Sequence, residues 1–493
     1  MIEEVHKFLK NIIKDNEFFQ DNTYFVGGCV RDYYRGVKAH DVDIVVNQKG
    51  GAEKLAFLIY DSIPNKDFIT KPYNLGHYPI YSITFKENFN VYKLKGITIE
   101  IAETMSEEFP DNDSRQREVK FASLQEDIFR RDFSINSGLI DVFTFKFKNL
   151  TKTNILQDIE KGIIRCNKDD ETYINKILND DPLRILRACA FVARFNFTLD
   201  EKLKFIMTYN VDRLKILSRE RINAEIKKAL DVQGGLFRFV KLLNEINALD
   251  IVFPKIADLK SIPQWNQDEY GKYYPDVRKI HLEGPMVFTH VMNVIKYVKA
   301  GYEIGLAALY HDVGKIYPEF KNGKVRFINH EKIGGEIIEK LFPTLKFDNE
   351  TTKNVKFLVE NHMKLHKLKD LSKRSLRRFI REIPTDALRY QLYDICNADC
   401  LGTLHETEFG TSAMTPHYEA IELVENLIKE DKISVEKPFR YFNGNEIMEF
   451  LHISAGKDVG RAIKIMIDLQ DQYGYNKDKE FIKQEIIKRF ENK

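Results

Sequence analysis

The spacing of apolar and polar residues divides this chain into a β-rich first part and a helical remainder. Between about residues 20 and 145, short runs dominated by Val, Ile, Thr, Tyr and Phe favour strands, and these are TYFVGG, DVDIVV, YSITF, ITIEIA and FSINSGLID. After about residue 150 the apolar residues recur at helical spacing, as in NKILNDDPLRILRACAFVARF, ERINAEIKKAL and GLFRFVKLLNEI. A stretch rich in structure-breaking residues at 261–279 indicates a linker or long loop, and a second helical block follows it.

The second predicted strand carries two carboxylates at alternate positions. Strand side chains alternate between faces, so Asp41 and Asp43 share one face while Val42, Ile44 and Val46 face the core. Two adjacent carboxylates repel each other unless a cation lies between them. A pair of divalent ions held in this way activates an attacking hydroxyl and stabilises a leaving pyrophosphate. The alternative is two solvated acids on a half-buried strand.

A glycine pair ends the strand before these acids. Gly27 and Gly28 stand between TYFV and a helical segment that contains Arg31. Glycines at a strand-to-helix turn let the backbone approach phosphate closely, the start of a helix attracts anions, and Arg31 adds a charged fork. Alone the pair is typical of an ordinary turn. Followed by Asp41 and Asp43, it indicates a site that holds a nucleoside triphosphate and transfers its α-phosphate.

Two further charged blocks follow. Arg130-Arg131-Asp132 precedes Phe-Ser-Ile-Asn, and it is either part of the same site or a surface pair. Asp181, Arg184 and Arg187 follow an i, i+3 track on a predicted helix. Because Asp before Pro is also a common helix cap, the spacing alone leaves capping and ligand binding open for Asp181.

Histidines concentrate in the second helical block. Six of the twelve lie between residues 281 and 366. A lone histidine on an apolar helix is usually packed and hydrogen-bonded, but here an ordered set of histidines and aspartates recurs, namely His290, His311, Asp312, His330, His362 and Asp399. Ligands without thiolate favour Mg, Mn, Fe, Co, Ni or Zn in a reactive site over structural zinc. His281 and His366 are expected to be structural.

Composition limits the class of protein. A chain of 493 residues is too long for one core, and 43% hydrophobic with 30% charged residues is typical of a globular protein without a membrane span. Five scattered cysteines with no Cys-x-x-Cys favour a reducing cytoplasm. The net charge of only +2 means that nucleic-acid binding has to depend on local patches. The clearest basic patch is either such a binding surface or an ordinary solvated helix face. Its residues are Lys373, Arg374, Arg377, Arg378 and Arg381.

The glycine turn, the Asp-x-Asp strand and the Arg-Arg-Asp block resemble the motifs of class II tRNA nucleotidyltransferases, the bacterial CCA-adding enzymes, and of bacterial poly(A) polymerases. The histidine set resembles HD-domain phosphohydrolases. The resemblance implies an α+β polymerase-β-like nucleotidyltransferase head followed by an all-α neck/body and an all-α HD domain. It places the head at 1–150, the neck/body with a nucleobase-reading helix at 151–260, the HD domain at 261–410 and a helical C-terminal region at 411–493.

The same resemblance assigns roles in the head and neck. It makes Asp41 and Asp43 the catalytic ligands of Mg²⁺, and it gives nucleotide binding to Gly27, Gly28, Arg31, Arg131, Asp132, Asp181, Arg184 and Arg187. Asp132 would contact the ribose. Asp181 and Arg184 would pair with the base, with Asp180 replacing the glutamate usual before them. A carboxylate only accepts hydrogen bonds, so Asp181 suits the exocyclic amino group of cytosine or adenine and opposes the carbonyl of uracil or guanine.

Three weaker assignments complete the head and neck. Glu100 is the candidate third carboxylate, with a surface glutamate as the equal alternative. The segment 111–115 resembles an acidic/basic loop of the family and favours full CCA addition over CC addition. Asp158 with Gly162, and Glu220-Arg221 with Glu225, would position other residues.

For the HD domain, the minimum ligand set by resemblance is His290, His311, Asp312 and Asp399, with His330 and His362 extending it toward two metals. A divalent transition metal or Mg²⁺ would activate water against a phosphoester. Lys315 would contact a phosphate of the substrate, or it would be an ordinary lysine at the end of a helix.

The expected function is therefore a cytoplasmic tRNA nucleotidyltransferase that adds CCA to tRNA 3′ ends from CTP and ATP without a nucleic-acid template. Its partners would be tRNA and the two nucleotides, with no DNA and no membrane. A phosphohydrolase activity of the HD domain would accompany it. The alternatives are a poly(A) polymerase, and a tRNA-binding or regulatory HD protein with an inactive head.

Overall fold

The computed structural model describes residues 1–39, 41–76, 78–89, 91–108, 118–264, 286–321, 324–407, 410–431 and 440–491. These residues form two compact units. The first comprises 1–229 and 238–252, and the second comprises 230–237 and 253–493. The predicted acidic/basic loop at 111–115 and most of the predicted linker lie outside the described residues.

A seven-stranded sheet organises the first unit. Its order is β3-β4-β5-β2-β1-β8-β9, with β1 Thr23–Val26, β2 Asp41–Val46, β3 Tyr73–Asn74, β4 Ile80–Thr84, β5 Thr98–Glu103, β8 Leu139–Asp141 and β9 Phe147–Lys148. Only β2 and β5 are parallel, and all other neighbours in this sheet are antiparallel. The hairpin β6 Met105–Glu108 and β7 Glu118–Phe121 forms a separate two-stranded sheet.

Four of the five predicted strands are confirmed. Val42, Ile44 and Val46 are buried in the core, as the alternation predicts, and Val45 packs into a second cluster on the other face. The prediction of one strand over FSINSGLID is wrong in its first half. Residues Ser134–Asn136 form a 3-10 turn, and only Leu139–Asp141 extends. The side chains of Asn136 and Ser137 donate to Asp132 and to the Phe133 carbonyl, four residues earlier, and such local bonds compete with strand pairing.

Helices surround the sheet and build the rest of the first unit. They are α1 Ile2–Ile13, α2 Glu17–Gln20, α3 Gly28–Tyr34, α4 Gly51–Ser62, α5 Leu124–Arg130, α6 Ile155–Lys161, α7 Glu171–Asp180, α8 Leu183–Phe195, α9 Glu201–Tyr209, α10 Arg219–Leu230, α11 Gly235–Glu245 and α12 Leu249–Val252. The long apolar segment predicted around residue 180 is two helices. The break falls at Asp181-Pro182, because proline cannot continue a preceding helix.

The second unit is mainly helical. Its helices are α13 Val287–Tyr297, α14 Tyr302–Tyr310, α15 His330–Thr344, α16 Asn349–Asn361, α17 Lys373–Glu382, α18 Asp386–Gly402, α19 Tyr418–Asp431, α20 Gly444–Leu451, α21 Lys457–Tyr473 and α22 Lys479–Glu491. Two hairpins, at Glu319–Arg326 and Leu404–Ala413, interrupt them. A separate apolar cluster joins α20, α21 and α22 around Met466 and Leu469.

The predicted basic patch lies on α17 and is neutralised by acidic partners. Arg377 is buried against Asp431, at 2.6 Å, and the other four cations pair with Glu430, Asp468, Glu382 and Asp471. The patch therefore joins helices of the second unit rather than presenting an unbalanced charge to nucleic acid.

None of the helices in the described part of the chain combines the length and the apolar character that a membrane crossing requires.

Candidate functional site

Three carboxylates share one face of the head sheet. β2 pairs with β5 in parallel, and the register places Asp43 opposite Glu100 and Asp41 opposite Thr98. Opposite residues of neighbouring strands point to the same face, so Glu100 joins Asp41 and Asp43. Glu100, the candidate third carboxylate, thus lies next to Asp41 and Asp43. Its backbone is held by hydrogen bonds from both neighbouring strands.

This concentration of negative charge is unfavourable without a cation. Burial raises the pKa of Asp43 to about 6, and Glu100 and Asp41 add to the rise while Arg131 and Arg31 oppose it. The pKa of Glu100 is also raised, by burial and then by Asp41. Carboxylate oxygens are the ligands that Mg²⁺ prefers. The residues therefore fit one or two divalent cations bound at this face.

The glycine turn approaches these acids directly. Gly27 has φ +76°, and a Cβ at this position would lie 2.9 Å from Oδ2 of Asp43. Left-handed backbone and a missing side chain are both required here. Gly28 begins α3, and the Arg31 guanidinium lies next to it.

A cavity of about 510 Å³ in the first unit collects almost all of the predicted nucleotide-site residues. Eight cationic and five acidic side chains line it, which suits an anionic ligand. The predicted residues among its walls are Gly27, Gly28, Arg31, Asp43, Arg131, Asp132, Asp181, Arg184 and Arg187. Asp41 and the candidate third carboxylate Glu100 are not among the lining residues.

The carboxylate of Asp127 orients the side chains of Arg130 and Arg131. Asp127 was not identified as a site residue from the sequence. Its buried carboxylate accepts from Nε and Nη2 of both Arg130 and Arg131, at 2.8 to 3.1 Å. Burial alone would raise the pKa of Asp127, but Arg131 and then Arg130 lower it below its ordinary value. The signal available in the sequence was its spacing, three and four residues before the two arginines on one helix.

Asp132 is held by a network that spans the head and α8. Arg187 donates to its Oδ2 from Nε at 2.8 Å, and Asn136 donates to its Oδ1 at 3.1 Å. Burial would raise the pKa of Asp132, yet Arg187 and Asn136 hold it below the usual range. Arg31 donates to Asn136 at 2.7 Å and makes a two-point contact with Asp32. Both predicted nucleotide contacts, Asp132 and Arg31, thus have protein partners in this structure.

Asp181 and Arg184 also have partners on the protein. Asp181 accepts from the backbone N–H of Leu183 at 3.3 Å, which is a capping contact, and from Arg221 at 3.0 Å. The buried Arg184 donates to the carbonyls of Ile177 and Arg130, at 2.9 and 2.6 Å. Capping and exposure to the cavity coexist at Asp181, so the two alternatives left open by the sequence do not exclude each other.

A second centre lies in the second unit, where helices bring the predicted histidine and aspartate set together. Nε2 of His290 is 3.0 Å from Oδ1 of Asp399 and 3.2 Å from Nε2 of His311. Oδ2 of Asp312 lies 3.5 and 3.4 Å from these two histidine nitrogens. On the other side, Oδ1 of Asp312 lies 3.4 Å from His330 and 3.9 Å from His362. Four of the predicted ligands, all histidines, therefore surround Asp312, and Asp399 joins them through His290 and His311.

The ring orientations leave nitrogen lone pairs directed at Asp312. His311, His330 and His362 each place Nδ1 within 2.7 to 3.0 Å of a backbone carbonyl. A carbonyl only accepts, so Nδ1 carries the proton and Nε2 keeps its lone pair, the arrangement seen in metal-binding histidines. Within the described residues, the buried Nε2 atoms of His330 and His362 have no hydrogen-bond partner. Because these acceptors face other acceptors, the residues fit a divalent metal.

Asp312 and His362 are shifted toward their ligand forms, whereas burial would lower the pKa of His311 but Asp312 raises it above its ordinary value. Burial would raise the pKa of Asp312, but Lys315 and His311 hold it well below its usual value. Burial lowers the pKa of His362 to about 3, so this imidazole is neutral. Lys315 is itself buried and donates to Oδ2 of Asp312 at 2.6 Å.

Three family profiles match successive parts of the chain. The poly A polymerase head domain matches residues 23–165, the probable RNA and SrmB-binding site of polymerase A matches 196–260, and the HD domain matches 287–399.

Curated proteins and solved structures are similar to this chain over most of its length. The multifunctional CCA proteins of Methylobacillus flagellatus and Acinetobacter baylyi are 26% and 25% identical, over 77% and 91% of this chain and 84% and 98% of their own. The Bacillus stearothermophilus CCA-adding enzyme in complex with CTP aligns with a TM-score of 0.65 at 18% identity, over 99% of this chain and 98% of its own. The Thermotoga maritima CCA-adding enzyme complexed with tRNA aligns at 0.54 and 18%, over 98% and 95%.

The fold and the cavity thus define a nucleotidyltransferase of the poly(A) polymerase-head class, with a helical body and a second, histidine–aspartate centre. The chain carries a poly A polymerase head domain, an RNA-binding segment and an HD domain in this order, and over most of its length it is similar to multifunctional CCA proteins and CCA-adding enzymes.

Proposed function

We propose that this protein is a tRNA nucleotidyltransferase that adds CCA to tRNA 3′ ends from CTP and ATP. One observation carries the proposal: Asp43 of the head-sheet carboxylates and the Asp181–Arg184 helix start border one cavity with an excess of cationic side chains. A single pocket therefore joins a phosphate-transfer face to groups that distinguish bases.

The head residues supply binding and orientation for the transfer. Asp41, Asp43 and Glu100 would hold Mg²⁺, which would supply activation of the tRNA 3′-hydroxyl and stabilisation of the leaving pyrophosphate. The backbone at Gly27 and Gly28 lets the triphosphate lie close to these carboxylates. Arg131, fixed by Asp127, adds positive charge on the cavity wall.

Base selection depends on the start of α8. Asp181 accepts a hydrogen bond from the exocyclic amino group of cytosine or adenine, and Arg184 donates to ring or carbonyl acceptors through the N–H groups that do not bond Ile177 and Arg130. UTP and GTP place a carbonyl against the Asp181 carboxylate, so two acceptors oppose each other. Asp132 accepts from the ribose hydroxyls after partial exchange with Arg187.

The test is incorporation of labelled nucleotides into tRNA that ends before CCA. The wild-type protein is expected to add two cytidines and one adenosine and then stop. Asp41→Ala and Asp43→Ala are expected to reduce addition at least about 10³-fold, the scale of lost charge stabilisation at such sites, while Asp61→Ala, an exposed acid of the same unit, leaves it unchanged. Long adenosine tails would identify a poly(A) polymerase instead. No incorporation by the folded, Mg²⁺-loaded wild type would identify a binding protein with an inactive head.

The HD centre supports a second activity. Its six ligands, with free Nε2 lone pairs around Asp312, suit Mg²⁺ or a divalent transition metal that activates water. The substrate class is a 2′,3′-cyclic phosphate or a phosphomonoester. Such a group blocks a tRNA 3′ end, so its removal prepares the hydroxyl that the head extends.

The five cysteines are all free and buried, and a reducing cytoplasm is the setting that fits them.

A further inference from the structure

A third cluster of metal-binding side chains lies in the second unit beside the HD centre. It consists of His366 from the turn Lys364–Asp370, Cys400 near the end of α18, and His417 immediately before α19. One donor atom of each side chain lies within 4.8 Å of the other two. Neither Cys400 nor His417 belongs to the histidine–aspartate set described above.

The spacing of these donors suits a small tetrahedral ion. Sγ of Cys400 is 3.2 Å from Nε2 of His417. Bonds of about 2.3 Å to sulfur and about 2.0 Å to nitrogen at tetrahedral angles place ligand atoms about 3.5 Å apart. The rings of His366 and His417 meet edge to face, with centroids 4.3 Å apart, and one nitrogen of each lies within 4.8 Å of the Cys400 sulfur.

The local hydrogen bonding leaves room for a cation. Among the described residues, the buried Nε2 of His366 has no hydrogen-bond partner, and its closest acidic atom is Oδ2 of Asp399 at 3.7 Å. The backbone N–H of His417 donates to Asn397 at 2.9 Å, which fixes this ligand to the same helix that carries Cys400. Cys400 is 1% exposed. A surface nucleophile would need access that this thiol lacks, and a thiol–imidazole pair alone gives no reason for His366 to converge on it.

Asp399 stands between the two clusters. Its Oδ1 faces His290 of the HD centre, and its Oδ2 faces His366. Its Oδ2 can therefore serve as the fourth ligand, and the one oxygen ligand, of the new cluster while Oδ1 remains with the HD centre.

We propose that His366, Cys400 and His417 bind one Zn²⁺-type ion, with Asp399 as the fourth ligand, and that this ion fixes the segment after the HD domain to the HD ligand helix. Binding breaks the S–H bond of Cys400, forms a metal–thiolate bond and releases the proton to solvent. The cluster differs in kind from the HD centre because it contains sulfur, and sulfur favours zinc or cobalt over magnesium.

The experiment uses the full chain, stripped by a chelator and refilled with Co²⁺ or Zn²⁺. Thiolate bound to Co²⁺ gives a near-ultraviolet charge-transfer band, which nitrogen and oxygen ligands do not give. Wild type and Cys189→Ala, a matched buried thiol in a helix of the first unit, are expected to show the band. Cys400→Ala is expected to lose it and to bind one Zn²⁺ fewer per chain, whereas Asp312→Ala keeps it.

His417→Gln provides an independent variant, because its side chain is half-buried and Cys400 remains. It is expected to weaken Zn²⁺ binding at this cluster about tenfold or more, on the scale of losses measured when ligand shells are disrupted. The proposal is overturned if folded wild-type protein shows no band. It is also overturned if Cys400→Ala or folded His417→Gln keeps an undiminished band and Zn²⁺ count. Either result leaves a thiol–imidazole hydrogen bond.

Discussion

At the residue scale, Gly27 shows how closely the backbone approaches the transfer chemistry. Its positive φ disfavours every L-residue, and the space that a Cβ would need is taken by Oδ2 of Asp43. Gly36 also has a positive φ, +69°, but a Cβ at this position would have free space, because no heavy atom lies within 4 Å of it. The two glycines thus separate strain of the backbone from displacement of a carboxylate.

Gly27→Ala is expected to reduce nucleotide addition about 100-fold, because shifts of about 1 Å at a reacting centre have effects of that size. Gly36→Ala carries the same conformational cost of about 1 to 2 kcal/mol without moving Asp43. The measurements are steady-state addition of CTP to tRNA and thermal unfolding of both variants. Equal activity losses in the two variants would show that strain, and not contact with Asp43, makes Gly27 necessary.

At the element scale, local pattern determined most of what the sequence could predict. Alternation located β2 and its buried valines, and Asp-Pro located the start of α8, because both signals lie within a few residues. The pairing of Asp43 with Glu100 joins strands about 57 positions apart, and the Asp132–Arg187 contact joins separate helical and loop segments. Such partners depend on how the strands and helices pack, which no single sequence window contains. For the same reason the Cys400–His417 contact was missed, whereas Asp127 lies three and four residues from its partners and could have been found by its spacing.

Helix α5 owes part of its acid sensitivity to Asp127. Because its pKa is lower in the folded chain than the unfolded value of about 3.9, its stabilising contribution is fully present above pH 4 and is lost as the pH falls through the folded pKa. Asp127→Asn is expected to lower the free energy of unfolding by about 2 kcal/mol at neutral pH.

The difference between wild type and Asp127→Asn is expected to stay constant from pH 7 to about pH 4 and to shrink below it. Chemical unfolding followed by circular dichroism across this range measures it, with Asp61→Asn as the exposed control. A difference that persists unchanged at the lowest pH would contradict the assigned role of the carboxylate.

At the scale of the whole molecule, two chemistries occupy two compact units. The carboxylates and cavity of the head lie within the first unit, and all six HD ligands lie within the second. The ligand types also differ, since the first set is oxygen only and the second contains four imidazoles.

Single substitutions should therefore separate the two activities. Asp312→Ala is expected to abolish hydrolysis of 2′,3′-cyclic phosphates or phosphomonoesters and to leave CCA addition within about twofold of wild type, since independent sites behave additively. Asp41→Ala is expected to do the reverse. Assays of both variants with Mg²⁺, Mn²⁺, Co²⁺ and Ni²⁺ provide the measurement. Loss of both activities from either variant, in folded protein, would mean that the units depend on each other.

The arginines around the cavity have a consequence for how selectivity responds to solvent conditions. Arg31, Arg131, Arg184 and Arg187 each hold their guanidinium group against protein acceptors, so their rotamers are set before a ligand arrives and little side-chain entropy remains to be lost. All four ribonucleotides carry the same triphosphate, and added salt weakens their attraction to these cations equally. Raising the ionic strength therefore lowers the affinity for every nucleotide together, while the ratio between accepted and rejected bases, set by rigid hydrogen-bond geometry, stays the same.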